Sequence, residues 1–299
     1  MGSTTSTASI PAIDFRHGIP ASDLLRFGQG NGKLDPVVDH FSLPAGHACP
    51  GASKCLAKAV EKFPGSWGIE DGSELEFRCF SASEEARYPN VREIRWHNFD
   101  TLKRYANAER TDDRKAQAMA ALLLASLPIR DRVFDLSIDG VAYKLLLRLH
   151  IGGDFFSQAY FDAWCLVCRA RPDILAYAYT KSLAFWCRRL ESLPDNLVLT
   201  ASEGGRYDHL IRRHGLRSAR VVFSEQEAAA LGLELDKDDS HAMRRGASFA
   251  LLLHGPQKKG TPAAKALSAL RAGGDWGHGK VAARQRRDAA RRRPLPMAS

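Results

Sequence analysis

The stretch RLHIGGDFFSQAYFDAWCLVCRARP, residues 148–172, decides the reading of the fold. An apolar run stops at Gly152-Gly153, Asp154 follows, and a helical pattern starts at once. The same design returns downstream. DILAYAYT (173–180) leads to Lys181-Ser182 and an apolar helical segment, and NLVLTAS (196–202) leads to Glu203-Gly204-Gly205-Arg206 and YDHLIRRHGL. ARVVFS (219–224) leads to Glu225 and QEAAALGL. SFALLLHG (248–255) leads to a helix that Thr261 caps and Pro262 opens. Strands that are apolar without alternation are covered on both faces. Strand, short polar turn and helix in repetition predict a parallel α/β sheet.

In such a sheet Gly152 and Gly153 let the backbone turn sharply, and Asp154 projects from the C-terminal edge, where these folds place their chemistry. Lys181, Glu203, Ser224 and His254 take the same relative position in the next four units, so five polar residues form the rim of a pocket. The plainer alternative for Asp154 is a helix cap. Glu203 and Asp208 are the candidate acid–base partners, and Lys181 is a candidate phosphate contact or low-pKa amine. SEGGR could offer backbone N–H groups and Arg206 to an anion.

The first half is less regular. DHFSLPAGHACPGASKCLAKAVEKF reads as a loop entering a helix near Cys55, and ELEFRCFSASEEARYP as a strand ending near Cys79. VREIRWHNFDTLKRYA and DRKAQAMAALLLASLP have the spacing of amphipathic helices. Together the elements predict a parallel (β/α) barrel, complete or distorted TIM-like, over residues 21–272, with a doubly wound open sheet as the alternative. Residues 1–20 read as a disordered lead-in and 273–299 as a disordered basic tail.

Composition sets outer limits. The chain has 299 residues, 44% hydrophobic and 26% charged, the balance of a globular domain. No run of ~18 apolar residues is present, which argues against a membrane span, and no export signal opens the sequence. Of the net charge of +9, six units sit between Lys280 and Arg293. There Lys280, Arg284, Arg286, Arg287, Arg291, Arg292 and Arg293 face Asp288 alone, a segment suited to phosphate backbones. Neither a P-loop nor a dinucleotide fingerprint nor a nucleophile elbow occurs, which disfavours nucleotide hydrolysis and serine esterase chemistry.

Six cysteines without an export signal point to thiol, metal or core roles. Cys49, Cys55 and Cys79 form the candidate metal group: with His47 they could close a zinc site, and alone they could hold a four-iron cluster with one iron open. Cys165, Cys168 and Cys187 lie in apolar helices beside Trp164 and Trp186 and read as core thiols. His97 with Asp100, and Asp239 with His241, are weaker candidates.

The stretches FSLPAGHACPGASKC, EFRCFSASEEARYPNVREIRWHNFD, GGDFFSQAYFDAW, AYAYTKSLAFW, TASEGGRYDHLI, RVVFSEQEAAALGLELDKDDSHA and FALLLHG together resemble the phage protein family called gene product 88, over roughly Leu25 to Leu270. That resemblance implies a protein of phages and mobile elements working in the bacterial cytoplasm. Two further analogies follow from fold and context. Phage DNA-guanine transglycosylases are barrels with an aspartate nucleophile; in that analogy Asp154 is the nucleophile, Glu203 or Asp208 its acid–base partner, and DNA rather than RNA the substrate. Radical S-adenosylmethionine barrels carry three early cluster cysteines, as here, although the usual C-x-x-x-C-x-x-C spacing is missing. The expectation is a metalloenzyme that modifies nucleic-acid bases, with a non-enzymatic nucleic-acid-binding protein as the third reading.

Overall fold

The computed structural model describes residues 18–31, 34–130 and 137–272. In chain order these form β1 (Gly28–Gln29), β2 (Val38–His40), a hairpin of β3 (Ala57–Phe63) and β4 (Ser66–Asp71), and the helices α1 (Phe80–Arg87), α2 (Pro89–Asn107) and α3 (Asp112–Ser126). A small hairpin, β5 (Ser137–Ile138) and β6 (Val141–Ala142), precedes the regular half. That half runs β7 (Leu145–Leu149), α4 (Gln158–Ala170), β8 (Ile174–Thr180), α5 (Leu183–Cys187), β9 (Leu197–Ser202), α6 (His209–His214), β10 (Ser218–Val222), α7 (Glu225–Ala230), β11 (Phe249–Leu252) and α8 (Pro262–Ala272). The N-terminal lead-in before residue 18 and the basic tail from 273, with its seven cations, lie outside the described residues.

Seven strands form one sheet in the order β1-β2-β7-β8-β9-β10-β11. β1 is antiparallel to β2, and every other neighbour pair is parallel. The five strand–turn–helix units expected from sequence are all present. The barrel is not. Among the described residues β1 and β11 are the free borders of an open mixed sheet, so the TIM-like closure is corrected. Closure requires a full set of strands with matched tilt and stagger, and the first half of the chain adds only β1 and β2 to the sheet. The segment expected to enter a helix at Cys55 becomes β3, turned back through Pro64 and a left-handed Gly65. The strand expected to end near Cys79 does not form: residues 72–79 run through turns and bends, and α1 begins at Phe80.

Both faces of β7–β9 are buried, which is why these strands carry no polar alternation. Leu147, Ile174 and Leu199 point toward α2, α3 and α4 and pack with Leu102, Met119 and Trp164. Leu146, Leu175, Tyr177 and Val198 point to the other face, where Phe249 and Ala242 join them. The segment after α7 closes this second face: Asp239 pairs with Arg148 at 2.6 Å, and the Tyr179 hydroxyl donates to Asp236 at 3.2 Å. Each Leu or Ile so buried contributes about 1.5–3 kcal/mol relative to exposure. Helix starts are fixed locally, with Thr111, Ser157, Ser224 and Thr261 each accepting a backbone N–H of the first turn. Among the described residues no helix is long and apolar enough to cross a membrane.

Candidate functional site: three thiols at the sheet edge

The Gly152-Gly153 turn has a tertiary cause. A Cβ on Gly152 would stand 2.3 Å from Ser81 Oγ and 2.9 Å from Arg95 Cζ. A Cβ on Gly153, whose φ is +81°, would stand 2.5 Å from the Leu43 Cβ. The end of β7 therefore carries no side chains at the point where α1, α2 and the start of the cysteine segment press on it. At the next strand the relation is reversed. There Gly51 lies against the backbone of Lys181, with room for a Cβ only 2.1 Å from the Lys181 carbonyl oxygen. The loop with Cys49 and Cys55 is thus seated on the C-terminal edge of the sheet. It is sewn there by Arg206 N–H to Gly51 O at 2.9 Å and Lys54 N–H to Gly204 O at 3.0 Å.

This seating gathers the three early thiols. Burial raises the Cys49 thiol well above the usual range, and Asp154, Cys79 and Cys55 add to the rise through their charges. Burial likewise pushes Cys79 up to about 11, with Cys55 as the next cause. Each of the three sulfurs is therefore within electrostatic reach of the other two. Opposing the rise, Cys49 Sγ accepts the Gly46 N–H at 3.3 Å, and Cys79 accepts the N–H groups of Ser81 and Ala82 at the start of α1. Arg95 also favours the Cys79 thiolate. Its guanidinium is buried and donates to Ser81 O at 2.8 Å, Glu84 at 3.0 Å and Glu85 at 3.3 Å. Burial raises the Glu85 carboxyl, and one of its oxygens, together with Ser81 Oγ and Ser83 Oγ, is buried without a hydrogen-bond partner. Nothing in the sequence pattern pointed to Arg95 or Glu85. The only signal was their place on the helices that flank Cys79.

His47 does not complete a fourfold site; its Nε2 is 3.3 Å from Ala59 O and its ring packs on Trp96. Among the described residues no group of three or more His, Cys, Asp and Glu side chains is gathered closely enough to hold a single metal ion. A lone zinc with bonds of about 2.3 Å needs sulfurs roughly 3.8 Å apart. The donor set is three soft sulfurs with backbone N–H groups directed at two of them, ligand types that zinc and iron–sulfur clusters share.

The rim residues are brought to the same edge but are spent on one another. Asp154 is 5% exposed, and burial raises its carboxyl. Its Oδ1 accepts the Thr180 hydroxyl at 2.6 Å and the Phe155 N–H at 2.7 Å, and its Oδ2 accepts the Lys181 N–H at 2.8 Å. The Lys181 ammonium donates to Ser202 O at 2.9 Å, Ser202 Oγ at 2.8 Å and Glu203 O. Glu203 accepts the Ser218 hydroxyl at 2.8 Å, on β10. Asp208 accepts the N–H groups of Gly204 and Gly205 at 2.7 and 2.9 Å, so the donors that SEGGR could offer to an anion are taken. Arg206 Nε donates to Ala52 O at 3.2 Å. His254 packs at a tilt on Phe80, His97 contacts Leu24 O, and Asp239 and His241 lie on the second face of the sheet. Cys165 and Cys168 are buried in the α4 core.

Fold and site together define an open α/β sheet protein with three half-buried cysteines and a tied carboxylate at its strand ends. The family model described as Gene product 88 matches residues 21–278, and the chain belongs to that family. It is similar to the Gene 88 protein of Mycobacterium phage L5, 26% identical over 174 residues that cover 54% of this chain and 59% of the relative. It is also similar to the Gene 88 protein of Mycobacterium phage D29, 27% identical over 147 residues covering 48% of each. The chain thus matches about half the length of these curated relatives. No solved structure matches it.

Proposed function

We propose that this protein is an iron–sulfur enzyme of phage type acting on nucleic acid in the bacterial cytoplasm, with Cys49, Cys55 and Cys79 as the cluster ligands. What supports the reading is the seating of the loop that carries Cys49 and Cys55 on the C-terminal sheet edge, through Gly51, Lys54 and Arg206, with Cys79 opening the helix that presses on the end of β7. Three ligands for a four-iron cluster leave one iron without a protein ligand, and such a centre supplies one-electron chemistry at that position. The chain's own contribution is positional. The Gly46, Ser81 and Ala82 N–H groups and Arg95 stabilise the thiolate form against burial. Asp154, Thr180 and Lys181 fix the strand ends beneath the loop.

The same geometry weighs against a base-exchange reaction with Asp154 as nucleophile. Both of its oxygens accept hydrogen bonds from its own fold, and attack would break them. S-adenosylmethionine is the co-substrate to try with the reduced cluster. The test is anaerobic purification followed by iron and sulfide analysis and electron paramagnetic resonance after reduction. About four irons per chain, lost on replacing any one of the three cysteines by Ala, is the expected result. A colourless protein with one equivalent of zinc sinks the reading.

A further inference from the structure

The surface beside the cysteine loop carries a cluster of cations with no ion-pair partner among the described residues. On α6, His209, Arg212 and Arg213 stand at positions i, i+3 and i+4 and share one exposed face, while Leu210 and Ile211 pack against the main core. Arg213 lies near enough to the Cys187 thiol at the end of α5 to oppose its rise, which brings the exposed Arg188 to the same patch. Arg206 leads into α6 from the edge loop, and Tyr207 between them is 36% exposed. Among the described residues Arg188, Arg206, Arg212 and Arg213 form no ion pair, and Asp208, the acid nearest in sequence to the last three, is spent on Gly204 and Gly205. Four other surface arginines are neutralised locally: Arg26 with Glu93, Arg104 with Asp23, Arg171 with Asp173, Arg189 with Asp162.

Cations in the last turn favour the helix dipole. That accounts for part of the pattern on α6. It does not account for Arg188 or Arg206, which lie outside the helix. Clustered like charges without counter-ions cost self-repulsion, and a polyanion removes it.

We propose that the α6 face, with Arg188, Arg206, Arg212 and Arg213, docks the phosphate backbone of a nucleic acid. The proposal rests on the nucleic-acid reading above and moves the principal contact from the tail to the body of the protein. Arg206 is bonded to the cysteine loop at Gly51 and Ala52, so a strand lying on this face is led to the sheet edge that carries the thiols. Tyr207 adds a ring on which a base can stack.

The test is fluorescence anisotropy of a labelled single-stranded DNA oligonucleotide with the full chain over a series of salt concentrations. Substituting Arg188, Arg212 and Arg213 together by Ala should weaken binding at least tenfold near 0.1 M salt. It should also reduce the slope of log affinity against log salt by about 2, since each backbone contact to a single strand contributes roughly 0.7. The corresponding Lys triple variant should keep the slope, and unchanged thermal melting of both variants excludes a folding defect. A full-length variant with the seven tail cations replaced by Gln separates the two sites. If that variant loses binding while the Ala triple matches wild type, the docking face is refuted and the nucleic-acid reading survives. If the wild-type chain shows no binding even at low salt, both fall.

Discussion

Asp154 accepts the backbone N–H of Lys181 at 2.8 Å, and the side chain of Lys181 in turn reaches Ser202 and the Glu203 carbonyl, so one carboxylate and one amine tie the ends of β7, β8 and β9. Asp154→Asn replaces one acceptor oxygen by a donor that faces an N–H or hydroxyl. Leaving such a buried group unpaired costs about 1–3 kcal/mol, which lowers the melting temperature by roughly 2–4 °C per kcal/mol for a domain of this size. Calorimetry checks it. A variant as stable as wild type shows that the carboxylate does not hold the edge together.

The same carboxylate sets a pH dependence. Burial raises Asp154 above its ordinary value, so below the unfolded pKa both states are protonated and nothing is lost. As pH rises past that value the unfolded chain ionises first, and stability falls until the folded group has ionised too. Wild type should therefore lose stability on going from acid toward neutral pH at this site, and Asp154→Asn should remove that component. Denaturant titrations at a series of pH values, compared between the two proteins, read the difference.

Gly51→Ala tests whether the thiols depend on the seating of their loop. The new Cβ would stand 2.1 Å from the Lys181 carbonyl, backbone against backbone, and only displacement of the loop relieves it. Reconstituted iron should fall well below half of the wild-type content while far-ultraviolet circular dichroism stays close to wild type. Gly65→Ala, at the distant β3–β4 turn where a Cβ meets nothing within 4 Å, should leave iron content unchanged despite its left-handed backbone. Equal iron content in all three proteins shows that the loop is not held by this contact.

The sequence exposed much of this arrangement and hid a definite part of it. Strands β7 to β9 were legible because two-sided burial leaves them almost wholly apolar, and Gly152-Gly153 marked a strand end that other elements approach too closely for a Cβ. Closure of the sheet was not legible. It depends on whether β1 meets β11, and no residue type announces a border strand without a neighbour. AKAVEKF has the apolar spacing of a helix turn, and only the Pro64-Gly65 reversal behind it settles it as a strand. At the site, the three thiols stood out by chemistry, as did Asp154 by position. Its hydroxyl and amide partners, Thr180 and the N–H groups of Phe155 and Lys181, come from the turn after β7 and the end of β8, and sequence spacing cannot show such contacts.

Two buried histidines give the protein an acid limit. Burial lowers His40 to about 4 and His150 to about 3, and the nearby Arg148 adds to the effect on His40. Both folded values lie below the ordinary 6.5, so the neutral rings contribute stability above that pH. The contribution is lost as pH falls from there toward the folded values, because the unfolded chain takes up protons first. At pH 4 the loss is of order 3 kcal/mol for each ring, since every tenfold difference in proton affinity between the folded and unfolded chain is worth about 1.4 kcal/mol. His150 is fully enclosed, its Nε2 at 3.0 Å from the Tyr160 hydroxyl, and its φ of +61° makes the backbone intolerant of most replacements. His40→Gln is thus the cleaner variant. It should cost stability at pH 7 and flatten the acid limb between pH 6 and 4, and an acid limb as steep as wild type's shows that His40 titrates freely in the folded protein.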